Sequence, residues 1–144
     1  GSGVRFAVGY PSLRKVLLYR FTDEDIINEN SNGPNIELFG EINSEGGDVD
    51  MFGQALSLDI LGNFVAVGAK GYARAYWLRV LPYVTEYVPA GNKISGEESD
   101  GEEFGSAVAS GRVPHHSDCA GCPFTLNEQR IAISSPAYDN GRGR

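Results

Sequence analysis

The sequence predicts an all-β fold built of four-stranded antiparallel units that repeat about every 50 residues. Three observations carry this reading. Residues 45–56 (EGGDVDMFGQAL) and 97–108 (EESDGEEFGSAV) align at an offset of 52, which matches Glu45 with Glu97, Asp48 with Asp100, Phe52 with Phe104, Gly53 with Gly105 and Ala55 with Ala107. Val, Ile, Tyr and Phe concentrate in short runs bounded by Gly, Asn, Asp and Pro, the composition of strands and turns. Within Gly53–Leu58, Leu56 and Leu58 share one face while Ala55 and Ser57 share the other, which is the period-two pattern of a strand. No segment carries a comparable helical face.

The elements follow a fixed order. A Phe-Gly strand comes first, at Phe52-Gly53 and again at Phe104-Gly105. An Ala-Val-Gly strand follows, at Phe6-Ala7-Val8-Gly9, Val65-Ala66-Val67-Gly68 and Ile131-Ala132-Ile133-Ser134. A Tyr strand is third, at Val16-Leu17-Leu18-Tyr19 and Ala73-Arg74-Ala75-Tyr76. Ile36–Ile42 and Tyr83–Val88 are the candidates for the fourth. Residues 3–45 then read as an incomplete unit, 46–95 as a complete one, and 96–144 as an incomplete one with an insertion at about 111–129.

A four-stranded sheet cannot bury both faces by itself, and radial stacking of such sheets buries them, so the period is that of propeller blades. Ala55, Ala66, Gly68, Ala107 and Ala132 are small enough for neighbouring sheets to approach closely. Phe52 and Phe104 offer large anchors between sheets. Gly53 and Gly105 tolerate backbone geometry or contact that a β-carbon would block. The predicted architecture is a partial β-propeller of about two and a quarter blades. Such a piece would leave sheet faces and edges open. The expected partners are therefore other blades of the same polypeptide or neighbouring chains of an assembly.

Phe52-Gly53, Val65-Ala66-Val67-Gly68-Ala69 and Tyr76, in that order, resemble the FG-GAP repeat of integrin α-subunit propellers and other cell-surface proteins. The third copy departs from the pattern, with Ser134-Ser135-Pro136 where Gly-Ala-Pro is usual. The resemblance implies a noncatalytic segment of an extracellular or cell-surface protein, acting in adhesion, protein–protein interaction, or matrix or filament assembly. It also raises calcium, because blades of this family often carry an acidic loop between their first two strands. That loop here is Asp59-Ile60-Leu61-Gly62-Asn63, with a single carboxylate, and calcium wants six to eight hard oxygens. It reads as a tight turn with Gly62-Asn63 at the tip, and no cofactor is expected.

Charge and composition narrow the partners. Twelve Lys and Arg against nineteen Asp and Glu leave a net charge of −7, which repels nucleic acid phosphates and anionic lipid. No apolar run approaches the roughly 20 residues of a membrane helix, so membrane insertion of this segment is not expected. The acidic residues cluster at 23–29, at Glu41, Glu45, Asp48 and Asp50, and at Glu97, Glu98, Asp100, Glu102 and Glu103. These clusters read as solvated connections, with weak cation binding by Asp48 and Asp50, or by Asp100 and Glu102, as the lesser reading.

The insertion concentrates the chemistry-bearing residues, with His115, His116, Cys119 and Cys122 within eight positions. Two His and two Cys are a zinc donor set, but adjacent histidines diverge and the two pairs stand too close together, so the four are weak metal candidates. Cys119 and Cys122 are disulfide candidates, with each other or beyond this chain; free thiols are the next alternative. A redox Cys-x-x-Cys normally opens a helix, and Asp118 and Pro123 flank this one. No nucleophile elbow, His-Glu-x-x-His or phosphate loop occurs, so no catalytic residue is assigned. Two rival functions remain: an accessory propeller segment of a larger enzyme whose catalytic residues lie elsewhere, and an intracellular interaction scaffold, which reduced Cys119 and Cys122 would favour. The aromatic group Tyr72, Tyr76, Trp77, Tyr83 and Tyr87 reads as packing by default, with an exposed binding strip as the alternative.

Overall fold

A computed structural model describes residues 4–22, 35–46, 50–59, 61–96, 103–114 and 127–135. These form ten strands in three antiparallel sheets, joined by turns and one short 3-10 segment, Pro11–Leu13; the described residues contain no α-helix. The first sheet holds β1 (Arg5–Tyr10), β2 (Lys15–Thr22) and β3 (Asn35–Asn43) in that order. The second holds β4 (Ala55–Leu58), β5 (Phe64–Ala69), β6 (Tyr72–Val80) and β7 (Thr85–Pro89), with the short β8 (Ile94–Ser95) also on β6. Strands β7 and β8 divide one edge of β6 between them, β7 pairing with residues 76–80 and β8 with Tyr72 and Ala73. The third sheet is the hairpin of β9 (Val108–Pro114) and β10 (Asn127–Ile133).

The strands form where β-branched and aromatic residues alternate, and they stop where the backbone must turn. Lys70-Gly71 joins β5 to β6 in two residues, with Gly71 at φ 83°, a conformation open to glycine and strained for other residues. Between β1 and β2, Pro11 opens the 3-10 segment and Arg14 closes it in the left-handed region, its N–H donating to the Pro11 carbonyl at 3.1 Å.

Strand alternation decides which side chains meet across the sheets. Strand β1 packs on β4, and β3 on β7. Val16, Leu18 and Ile42 of the first sheet meet Phe52, Val65, Val67, Tyr72, Tyr76 and Tyr87 of the second in one core. Phe52 is fully buried and stands edge-on to Tyr76, with ring centroids 6.2 Å apart. A β-bulge opposite Leu18 and Tyr19 leaves Phe39 as the extra residue, and its ring stands edge-on to Tyr87 across the sheets. The opposite face of the second sheet presents Phe64, Ala66 and Ala75 to Val108 and Ile131 of the third. The three described sheets thus form an open stack with the second in the middle, and they do not close into a barrel or ring.

Two expectations change. The Phe-Gly pairs lie in turns ahead of β4 and β9 and not within strands, because Gly53 and Gly105 adopt φ values of 91° and 83° that no strand allows. The insertion at about 111–129 begins and ends as sheet: β9 runs through Pro114 and β10 starts at Asn127, so part of the added length extends a hairpin.

Candidate functional site

The seams between sheets hold the chain's most specific geometry. The Gly53 N–H donates to the Gly68 carbonyl at 3.0 Å within the second sheet, and the Gly105 N–H donates to the Ser134 carbonyl at 3.0 Å within the third. Each of these turn glycines also faces the preceding sheet. A β-carbon on Gly9 would overlap the carbonyl oxygen of Gly53, and one on Gly68 would overlap the carbonyl oxygen of Gly105. The same backbone-to-backbone contact therefore recurs at two successive seams. The strand registers then fix equivalent positions: Arg5, Ala7 and Gly9 in β1 correspond to Phe64, Ala66 and Gly68 in β5, and to Arg130, Ala132 and Ser134 at the end of the chain's third copy.

The turn at residues 59–63 is held from both sides. Within the turn, Asp59 Oδ1 accepts from the N–H groups of Asn63 and Phe64 at 2.7 and 3.0 Å, while Gly62 takes φ 65°. From the first sheet, Arg5 Nη1 donates to the carbonyls of Leu61 and Gly62 at 3.2 Å each and to Asn63 Oδ1 at 2.9 Å. The Tyr87 hydroxyl donates to the same Gly62 carbonyl at 2.5 Å. Burial pushes the Tyr87 phenol up to about 12, against the opposing pull of Arg5. The turn's outward oxygens thus meet a protein cation, whose guanidinium also lies 4.6 Å from the centre of the Phe39 ring.

A second polar cluster precedes Phe52. Asp50 is only 8% exposed. Its Oδ1 accepts from the Phe52 N–H at 3.2 Å, and its Oδ2 accepts from the Tyr72 hydroxyl at 2.9 Å and from the Ser44 hydroxyl. Ser44 Oγ in turn accepts from the Gly46 N–H at 2.9 Å. Burial pushes the Tyr72 phenol up to about 12, and the Asp50 carboxylate adds to the effect. The cluster pairs a serine with a carboxylate, and its geometry fixes the turn that delivers Phe52 to the core.

Within the second acidic cluster, Asp50 departs from the expected solvated connection, while Glu41 and Glu45 are exposed as expected. Asp50 is buried because Ser44, Tyr72 and the Phe52 amide satisfy its oxygens, Glu41 pairs with Lys15 at 3.5 Å, and Glu45 pairs with Arg74. Asp48, Asp100 and Glu102 lie outside the described residues, as do His115, His116, Cys119 and Cys122. Among the described residues, no three His, Cys, Asp or Glu side chains gather as a metal-binding group, and no helix is long and apolar enough to cross a membrane. Of the repeat residues, Phe52, Gly53, Ala66, Gly68 and Gly105 are buried, Phe104 is half-buried and Ala132 is exposed.

The aromatic group divides. Tyr72, Tyr76 and Tyr87 are buried, whereas Trp77 is partly exposed and Tyr83 is 97% exposed. Tyr83 sits with exposed Val80, Leu81 and Val84 at the tip joining β6 to β7, which closes through paired backbone bonds between Leu81 and Val84. No family model, curated protein or solved structure matches this chain.

Sequence reasoning misses Arg5, Ser44 and Tyr72 as site residues. Arg5 shows no similarity to Phe64, and only the strand register makes the two equivalent. The one available signal is the Ser134-Ser135 departure in the third copy, whose meaning depends on the carbonyl that faces Gly68.

Proposed function

We propose that this chain is a noncatalytic segment of a β-propeller of the FG-GAP type, which assembles with further blades and serves protein–protein contact in an extracellular or cell-surface adhesive or structural protein. The observation that carries the reading is the recurrence of the glycine contact, Gly53 on Gly9 and then Gly105 on Gly68. A contact that joins each sheet to the next in the same way generates a regular array, which is the physical basis of a propeller. The outer face of the first sheet supports continuation in that direction. There Phe6 lies 5.2 Å from Tyr19 and 5.3 Å from Phe21 between ring centroids, all three half-buried, as an apolar surface for a preceding sheet.

A noncatalytic role is supported by the use made of the buried polar groups. Asp50, Tyr72 and Tyr87 each hold a turn in place. The exposed tip around Tyr83 provides a surface for partners, since tyrosine buries a large area at low conformational cost.

Electron microscopy of the natural polypeptide that carries this chain tests the proposal. The expected particle is a disc of radially arranged sheets around a central axis. A linear array, or a two-layer sandwich that buries the Phe6 face, overturns it.

A further inference from the structure

The third sheet breaks the pattern that joins the other two seams. Gly9 and Gly68 lack a β-carbon at the point where the next sheet's turn carbonyl sits, and at both positions a β-carbon would lie well inside contact distance of that oxygen. The equivalent residue of the third sheet is Ser134, whose carbonyl accepts from the Gly105 N–H as the Gly68 carbonyl accepts from Gly53. The Ser134 N–H also donates to the Ala107 carbonyl at 2.9 Å, and Ala107 matches Ala55, the register partner of Gly68. The Ser134 hydroxyl is committed within its own sheet, accepting from the Ala107 N–H at 3.1 Å. The obstruction is therefore a β-carbon on the backbone and not the end of a flexible side chain.

A neighbouring substitution does not decide the matter. Arg130 takes the position of Phe64, the aromatic centre of the second seam. At the first seam that position is Arg5, which the facing turn accommodates through its carbonyls. Arginine is thus compatible with stacking, and Ser134 is the residue that is not.

We infer that a further copy of this repeat does not dock on the outer face of the third sheet in the geometry that joins the three sheets, and that Ser134 is the cause. A sheet that follows stands farther off or meets the chain through another surface. The close glycine seam that joins the three sheets is therefore not available at the Ser134 face. This inference rests on the repeat reading of the proposed function.

Cysteine trapping tests it, with Cys119 and Cys122 replaced by serine. Ser57 and Ser110 face each other across the second seam with their hydroxyl oxygens 2.9 Å apart, so Ser57→Cys with Ser110→Cys reports a correctly packed seam in the natural chain. The full chain extended after Arg144 by a flexible linker and a second copy of residues 46–95 carries the equivalent pair. One cysteine is Ala109→Cys, and the other replaces Leu58 of the appended copy. The expected result is that Ser134→Gly raises the rate of cross-linking in the extended chain about tenfold or more. In the natural chain, Gly68→Ser is expected to slow the Ser57→Cys, Ser110→Cys cross-link by a similar factor.

Equal rates with Ser134 and Ser134→Gly, or no cross-link in either, overturn the inference and leave the propeller reading standing. A Gly68→Ser chain that cross-links as fast as its parent also overturns it. Failure of the natural-chain pair itself removes the stack, and both readings with it.

Discussion

Arg5 Nη1 donates to Asn63 Oδ1 at 2.9 Å, and this bond crosses from the first sheet to the second. The same nitrogen reaches the Leu61 and Gly62 carbonyls. One guanidinium therefore ties the first strand of the chain to the turn between β4 and β5, more than fifty residues away.

Replacing this guanidinium should loosen that seam. Arg5→Met keeps the apolar stem and removes the donors, so it isolates the hydrogen bonds from the packing. A loss of about 1–2 kcal/mol is expected, the range for charge-assisted bonds discounted for partial exposure. Arg5→Lys should recover little, because one ammonium does not reproduce the planar fork. Urea denaturation of the variants measures both, and an unchanged midpoint for Arg5→Met refutes the role.

The glycine contacts predict a sharp positional contrast. Gly9→Ala and Gly68→Ala each force a β-carbon into a backbone carbonyl of the next sheet, and a loss of about 1–3 kcal/mol is expected from each. Gly111 lies in β9 with nothing within 4 Å of its would-be β-carbon, so Gly111→Ala should stay within about 0.5 kcal/mol of the parent. Thermal melts of the three variants decide it, and equal effects at all three sites contradict the contacts.

Much of the strand pattern is legible in the sequence because it is periodic. The 52-residue offset aligns Ala55 with Ala107, and the alternation of Leu56 and Leu58 with Ser57 places the leucines in the first core and the serine at the second seam. The seam itself is not legible. Its close contacts involve backbone carbonyls, which carry no residue identity, and only the glycine that yields to them leaves a trace. Asp50 misleads for a related reason. Its sequence neighbours are acidic and turn-forming, while the groups that bury it, Ser44 and Tyr72, come from the end of β3 and the start of β6.

The Asp50 cluster should behave as a unit. Asp50→Ala removes the acceptor for the Phe52 amide and leaves the Tyr72 hydroxyl without its carboxylate, with an expected loss of about 2–3 kcal/mol. Tyr72→Phe removes one donor and should lose about 1 kcal/mol. The double variant should lose less than the two together, because both substitutions break the same bond. A double-mutant cycle by denaturant titration checks this, and strict additivity refutes the coupling.

Alkaline pH should destabilise the fold through three phenols. Burial pushes Tyr72, Tyr76 and Tyr87 each up to about 12 from an ordinary value of 10.0. The unfolded chain then loses these protons at lower pH than the folded one. The stability they contribute is complete below the unfolded value and disappears as pH rises through the folded one. The melting temperature should therefore fall between about pH 10 and pH 12. Absorbance titration should show these tyrosines ionising together with unfolding, and ionisation near the ordinary value without unfolding contradicts the prediction.

Because the second sheet alone among the described sheets is covered on both faces, stability is graded across the chain and not shared evenly. In a stack where each unit leans only on its neighbours, opening begins at the ends and moves inward. Amide hydrogens of β5 and β6 should thus be the last to exchange with solvent. Those of β10 and of β3 should exchange through local openings that leave the middle sheet intact. A protease or a partner then meets the flanks of this chain in transiently opened forms long before it meets the strand that carries Val65 and Val67.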